Sequence, residues 1–250
     1  MGLAMGEWVM QNKFNADGFV VTNNIVSMND IISARQDIEE IFANTGQNMF
    51  DLYQHDRQLF INCCKICHDL PSIWQMGSNP AMIKFVQNLG LKQPVITMKP
   101  VLLFSCESLA SDEFYWKALP HQEWFATRGS LNSIVVWIPL CDIQQKLGYL
   151  EIVPNSHTIG LLEHEIKEPA IRITDEHLQN ITFQPIPMCY GQILAFSSFL
   201  IHRSGVNQKT NEVRLTVSYR FDDATDPTFL KRGYFRPFNY NRVPHDEFIP

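Results

Sequence analysis

Charge is scarce in this 250-residue chain: 18% of residues are charged, with 20 Lys plus Arg against 26 Asp plus Glu. A typical soluble chain carries about 25%. With 45% hydrophobic and 12% aromatic residues, the shortage excludes a disordered chain, which lacks the apolar surface needed to offset ordering entropy. Positive charge is the rarer sign. A net charge of −6 gives no basic footprint and excludes a nucleic-acid partner. Glycine and proline, at 12 and 14 residues, are too few for collagen-like or linker character. Long apolar runs are also missing. The longest stretch free of charge and histidine, Leu178 to Ile201, contains Pro185, Pro187 and Gly191, whereas a spanning helix needs about 20 predominantly apolar residues. The opening MGLAMGEWVMQNKF has no basic leader and carries Glu7, and Gly6 stands where myristoylation needs Ser or Thr. A soluble, cytoplasmic protein without a membrane partner is expected.

The six cysteines, at positions 63, 64, 67, 106, 141 and 189, form no disulfide framework of the kind small secreted domains use. Cys64-Lys65-Ile66-Cys67-His68 matches the C-x-x-C-H form of haem attachment. The segment Arg57 to Leu70 reads instead as a helix with Leu59, Phe60, Cys63, Cys67 and Leu70 on one face. Buried thiols are therefore expected. No second Cys/His pair follows at zinc-finger spacing.

Two textures follow one another. Asp17-Gly18 predicts a turn before a short strand, Phe19 to Val21. Helices are predicted from Ser27 to Ala43, capped by Ser27 or Asn29 with Ile31, Ile32, Ile38, Ile41 and Phe42 on one side, and from Pro80 to Leu89, ended by Gly90. From Val95 onward short β-rich runs alternate with turns: Val95–Phe104, Ser133–Leu140, Leu150–Val153, Gln192–Phe196 and Val213–Phe221. That spacing predicts a sandwich or barrel. No linker separates two folding units. A single domain over residues 1–250 is expected, mostly helical through 92 and β-rich over 93–250.

Three segments carry candidate chemistry. In Pro120-His121-Gln122-Glu123-Trp124, a strand would set His121 and Glu123 on one face with Gln122 turned away. The pair alone is a weak signal. His202 follows the apolar run Gln192–Phe196, where a satisfied core histidine is the competing reading. In Arg214-Leu215-Thr216-Val217-Ser218-Tyr219-Arg220-Phe221 the alternation sets Arg214, Thr216, Ser218 and Arg220 on one face. That face belongs either to solvent or to the inside of a barrel, where an arginine fork suits a carboxylate. Two histidines and a carboxylate make the facial triad of non-haem Fe(II) oxygenases. Arg214 lies twelve residues after His202, across a turn expected over Gly205–Glu212.

With these residues in order, the chain resembles the phytanoyl-CoA dioxygenase family of Fe(II)/2-oxoglutarate oxygenases over nearly its whole length. Asp17-Gly18-Phe19-Val20-Val21 is similar to the family's start, and His121-Gln122-Glu123 resembles its H-Q-D motif. Gly148 through Gly160, with Pro154-Asn155-Ser156-His157, resembles its G-x-L-x-x-x-P-G-S-H segment. Gly191 to Phe196, His202 to Asn207 and Arg214 resemble its distal part. Glu123 departs from the commoner Asp. It still supplies a carboxylate, which argues against the halogenating relatives that have Ala or Gly there. Asn155 stands where Gly is usual, and Asn tolerates a left-handed turn.

The resemblance implies a double-stranded β-helix with flanking helices. It implies Fe(II) held by His121, Glu123 and His202, 2-oxoglutarate paired through its distal carboxylate with Arg214, and O2 as the other cosubstrate. Hydroxylation of a small molecule with release of succinate and CO2 is the leading expectation. The alternatives are desaturation, epimerisation or cyclisation with the same cofactors, and a non-catalytic β-helix module that binds a ligand or partner. Ser204 is either a further hydrogen-bonding group for the cosubstrate or a turn residue. Trp137 is either a wall of the cosubstrate pocket or a core aromatic. His157 is expected to have a structural role. Arg220, about 20 Å along the strand from Arg214 at 3.3 Å per residue, is expected at the surface. Ser105–Leu119 and Lys231–Pro250 are candidate covers of the pocket.

Overall fold

A computed structural model of the protein describes residues 5–105, 118–167, 170–205 and 212–231. Most of both candidate covers and of the expected turn before Arg214 lie outside the described residues. The first part runs α1 (Met5–Asp17), β1 (Phe19–Asn23), α2 (Met28–Ala43), α3 (Met49–His55), α4 (Arg57–Cys67), α5 (Pro71–Ser78) and α6 (Pro80–Asn88). The β-rich part follows with β2 (Pro94–Ile96), β3 (Val101–Ser105), α7 (Glu123–Thr127), β4 (Ile134–Pro139), β5 (Leu150–Ile152), β6 (His164–Lys167) and β7 (Ala170–Ile173). The remaining elements are β8 (Gln184–Ile186), β9 (Gln192–Ser197), β10 (His202–Ser204), β11 (Arg214–Asp223) and α8 (Pro227–Lys231). No helix among the described residues is long and apolar enough to cross a membrane.

The helices start where short polar side chains meet orphan backbone N–H groups. Ser27 Oγ accepts from Asp30 N at 3.1 Å, Asp56 Oδ1 from Leu59 N at 2.9 Å, and Asn79 Oδ1 from Met82 N at 2.8 Å, with Pro80 opening α6. Ile31, Ile38 and Phe42 of α2 and Phe60, Cys63, Cys64 and Cys67 of α4 are buried. The thiols are free, and burial pushes that of Cys67 up to about 12. The C-x-x-C-H match is thus helix packing. His68 caps α4 and bonds Pro100 O through Nδ1 at 2.9 Å. Two residues expected on the apolar faces, Ile32 and Leu59, are instead exposed.

The main sheet has the order β1-β9-β4-β11-β2, with β3 also paired to β11. A second sheet has the order β10-β5-β8, and β6 and β7 form a separate pair. β1 lies among helices in the sequence but pairs antiparallel with β9, Phe19 opposite Phe196. The run expected over Val95–Phe104 is split into β2 and β3, because Pro100 offers no N–H to a ladder. Alternation along the strands divides the core in two. Ile134, Val136, Ile138, Leu215, Val217, Tyr219 and Phe221 join the helices in one cluster. Val135, Trp137, Leu194 and Phe196 face Leu150, Ile152 and Ile186 of the second sheet in the other. The architecture is a double-stranded β-helix flanked by helices, with its interior between the two sheets.

Candidate metal centre

His121, Glu123 and His202 come together on this interior. Their ligand-type atoms all lie within 4.8 Å of one another. Glu123 Oε2 is 3.6 Å from His121 Nε2 and 3.8 Å from His202 Nε2. The local structure differs from the expected strand. His121 forms an isolated antiparallel bridge with His202, its N–H donating to His202 O at 3.0 Å and its carbonyl accepting from His202 N at 3.1 Å. Glu123 opens α7, with Trp124 N bonded to Ser198 O at 2.9 Å. The chain turns into the helix at Gln122, and the two side chains still converge.

Both imidazoles are oriented from behind. His121 Nδ1 lies 2.7 Å from Leu119 O and His202 Nδ1 lies 2.9 Å from Leu200 O. A carbonyl only accepts, so each Nδ1 carries a proton and donates it, which turns each Nε2 toward Glu123. Burial, then the neighbouring His121, pushes His202 down to about 3, so it stays neutral. Burial alone would raise the Glu123 carboxyl, but the Arg220 guanidinium beside it holds it well below its usual range. Two imidazole nitrogens and a carboxylate oxygen are the donor set a divalent transition ion takes.

Gln122 is fully buried on the opposite side. Its Nε2 donates to Gly160 O and Phe199 O, each at 2.7 Å, its Oε1 accepts from Leu162 N at 2.8 Å, and its backbone N–H donates to His164 Nε2 at 3.0 Å. Burial lowers His164 to about 4, keeping that nitrogen an acceptor.

A cavity of about 290 Å³ adjoins the triad. Arg214, Ser204 and Trp137 line it together with His121, Glu123 and His202. Arg214 is buried; its Nη1 donates to Gly148 O, and its Nε has no hydrogen-bond partner among the described residues. Burial lowers its pKa to about 10, the mark of a cation with too little compensation. Ser204 lies in β10 rather than in a turn, and its Oγ accepts from Ala118 N at 3.2 Å. Trp137 is at once a buried core residue and a wall of the cavity. The polar face of β11 points inward, with Arg214, Thr216 and Ser218 buried.

Arg220 is not at the surface. Its Nε donates to Glu123 Oε1 at 3.1 Å, and its Nη2 completes the ion pair with the same oxygen at 3.0 Å. Counting along a straight strand measured its distance from Arg214, whereas the cavity spans both residues. The alternation that placed Arg220 on Arg214's face was the signal that could have found it. His157 bonds Asn15 O through Nε2 at 3.1 Å, away from the triad. Asn155 has φ of 65°, as expected for its turn.

The family model of phytanoyl-CoA dioxygenase matches residues 14–215. The chain belongs to the phytanoyl-CoA dioxygenase family. Among curated members of similar sequence, 1-deoxypentalenic acid 11-beta-hydroxylase of Streptomyces exfoliatus is 25% identical over 67% of this chain and 61% of its own length. Phytanoyl-CoA dioxygenase domain-containing protein 1 of Mus musculus is 25% identical over 56% of this chain and 49% of its own. The chain thus spans less than two thirds of either relative. Solved structures share the fold at low identity. The epimerase SnoN, in complex with Fe3+, alpha ketoglutarate and nogalamycin RO, has a TM-score of 0.62 at 16% identity, over 88% of this chain and 84% of its own. EctD of S. alaskensis, with 2-oxoglutarate and 5-hydroxyectoine, has 0.59 at 13%, over 90% and 77%. The carbocyclase SnoK has 0.60 at 14%, over 100% and 96%.

Proposed function

We propose that this protein is an Fe(II)- and 2-oxoglutarate-dependent dioxygenase that hydroxylates a small molecule. The observation that carries the proposal is the pairing, in one cavity, of a pre-oriented two-histidine, one-carboxylate set with a buried arginine whose Nε lacks a partner among the described residues. His121, Glu123 and His202 would hold Fe(II). Arg214 would take the distal carboxylate of 2-oxoglutarate, supplying the fork that a carboxylate accepts. Iron and 2-oxoglutarate together supply the oxidation of substrate by O2, with succinate and CO2 as co-products.

The protein's own groups orient and enclose. Leu119 O and Leu200 O fix the imidazole protons on Nδ1. Trp137, Phe196 and Leu150 exclude water from the floor, and Ser204 lies beside His202 as a further polar contact. Val101, Leu103, Leu119, Ala126 and Ile171 make much of the remaining lining aliphatic. This supports a substrate whose reacting portion is hydrocarbon.

Anaerobic addition of 2-oxoglutarate to the iron-loaded protein is expected to give a visible charge-transfer band. A folded, iron-loaded protein without that band overturns the proposal. Arg214→Ala should weaken 2-oxoglutarate binding by about 10–100-fold, the loss of a charged hydrogen-bonded pair, with little change in iron affinity. Equal loss of both removes Arg214 from its role. Product mass separates the outcomes: hydroxylation adds one oxygen, while epimerisation adds none.

A further inference from the structure

Given His121, Glu123 and His202 as the metal ligands, as just proposed, the two oxygens of Glu123 are already divided between different tasks. Oε1 accepts from the Nε–H of Arg220 at 3.1 Å and lies 3.0 Å from its Nη2 in the same ion pair. Oε2 is the oxygen that faces the histidine Nε2 atoms, at 3.6 and 3.8 Å. A guanidinium usually spreads two parallel donors over both oxygens of a carboxylate; here both of the near nitrogens lie against one oxygen. Arg220 is itself anchored to its own strand, since Nη1 donates to Ser218 Oγ at 2.7 Å and to Ser218 O at 3.2 Å. It is therefore a fixed post rather than a mobile counter-ion.

We propose that Arg220 is a positioning residue that reserves Oε1 and presents Glu123 to the metal through Oε2 alone. A facial triad serves an oxygenase because it leaves coordination positions open for cosubstrates. A carboxylate bound through both oxygens would take one of those positions. Glu has one methylene more than Asp, and this length lets the side chain that opens α7 bridge Arg220 on β11 and the His121–His202 pair. A carboxylate drawn back by that methylene would forfeit the 3.0 Å contact.

The test uses the full chain with Co(II) as a redox-stable metal and 2-oxoglutarate as cosubstrate, both followed by cobalt absorption. Arg220→Met keeps the stem and removes the donors; Arg220→Lys restores one. Folding is checked by circular dichroism. The expected result for Arg220→Met is Co(II) affinity within about threefold of wild type, 2-oxoglutarate affinity reduced about tenfold or more, and an altered cobalt spectrum. Arg220→Lys should recover part of the 2-oxoglutarate affinity. In a Glu123→Asp background, Arg220→Met should add little, because the shorter carboxylate no longer reaches the guanidinium. Unchanged 2-oxoglutarate affinity in Arg220→Met, a parallel loss of both affinities in the Met and Lys variants, or a full additional effect in the Glu123→Asp background would each overturn the role. Failure of the wild-type protein to bind Co(II) would instead overturn the metal site itself, a separate outcome.

Discussion

Gln122 is the residue on which the metal motif hangs. Its amide satisfies three backbone groups, Gly160 O, Phe199 O and Leu162 N, while its neighbours on either side face the cavity. Truncation would strand those groups in a buried site, at about 1–3 kcal/mol each before relaxation. Gln122→Ala is expected to lower stability by about 3 kcal/mol or more, read as a shift in the urea midpoint. Gln122→Glu should not rescue it, because an ionised carboxylate cannot donate to two carbonyls. A shift under about 1 kcal/mol would show that water replaces the amide at little cost. At this scale the chain was legible where function depends on residue type in series: two histidines, a carboxylate and an arginine in order. Arg220 and the partners of Gln122 were not, because both depend on how distant loops are brought together. No local periodicity encodes the approach of Gly160 and Phe199 to residue 122.

Among the elements, β11 and α5 show best how the fold is fixed. Tyr219 projects from β11 onto α5, where its hydroxyl donates to Ile73 O at 2.6 Å. A Cβ on Gly77 would lie 2.3 Å from the Tyr219 ring. Helix propensity alone predicts that Gly77→Ala stabilises by about 1 kcal/mol. Overpacking against a buried aromatic typically costs about 1–3 kcal/mol, and the ring cannot retreat without losing its hydrogen bond. Gly77→Ala is therefore expected to destabilise, and a higher melting temperature would refute the packing account. The alternation of β11 was readable because one face is wholly apolar, whereas β4, β5 and β9 were readable as short β-rich runs between turns. α3, α5, β8 and β10 were missed. Each is short, from three to eight residues, so no full period develops. α5 also starts without a side-chain cap. α1 was missed because its apolar residues follow no single face, and Trp8 and Val9 are exposed.

For the whole molecule, a metal that binds only the folded state stabilises it by mass action, about 2.7 kcal/mol at a hundredfold excess over its dissociation constant. For a chain of this size, at about 2–4 °C per kcal/mol, Co(II) should raise the melting temperature by about 5–10 °C. The Glu123→Ala variant should lose most of that gain. An equal gain in the variant would locate the ion elsewhere, for instance at the exposed cluster of Glu163, Glu176 and His177. The His121–His202 bridge has its own consequence here. These residues are remote in sequence yet exchange two backbone hydrogen bonds, so an ion held between their imidazoles bolts the second sheet's edge to the loop that leads into α7. Both amide protons of that rung are sheltered only while the seam is shut. Their exchange with deuterium clocks its opening directly, making the two ligand residues a built-in gauge of how firmly the ion closes the protein.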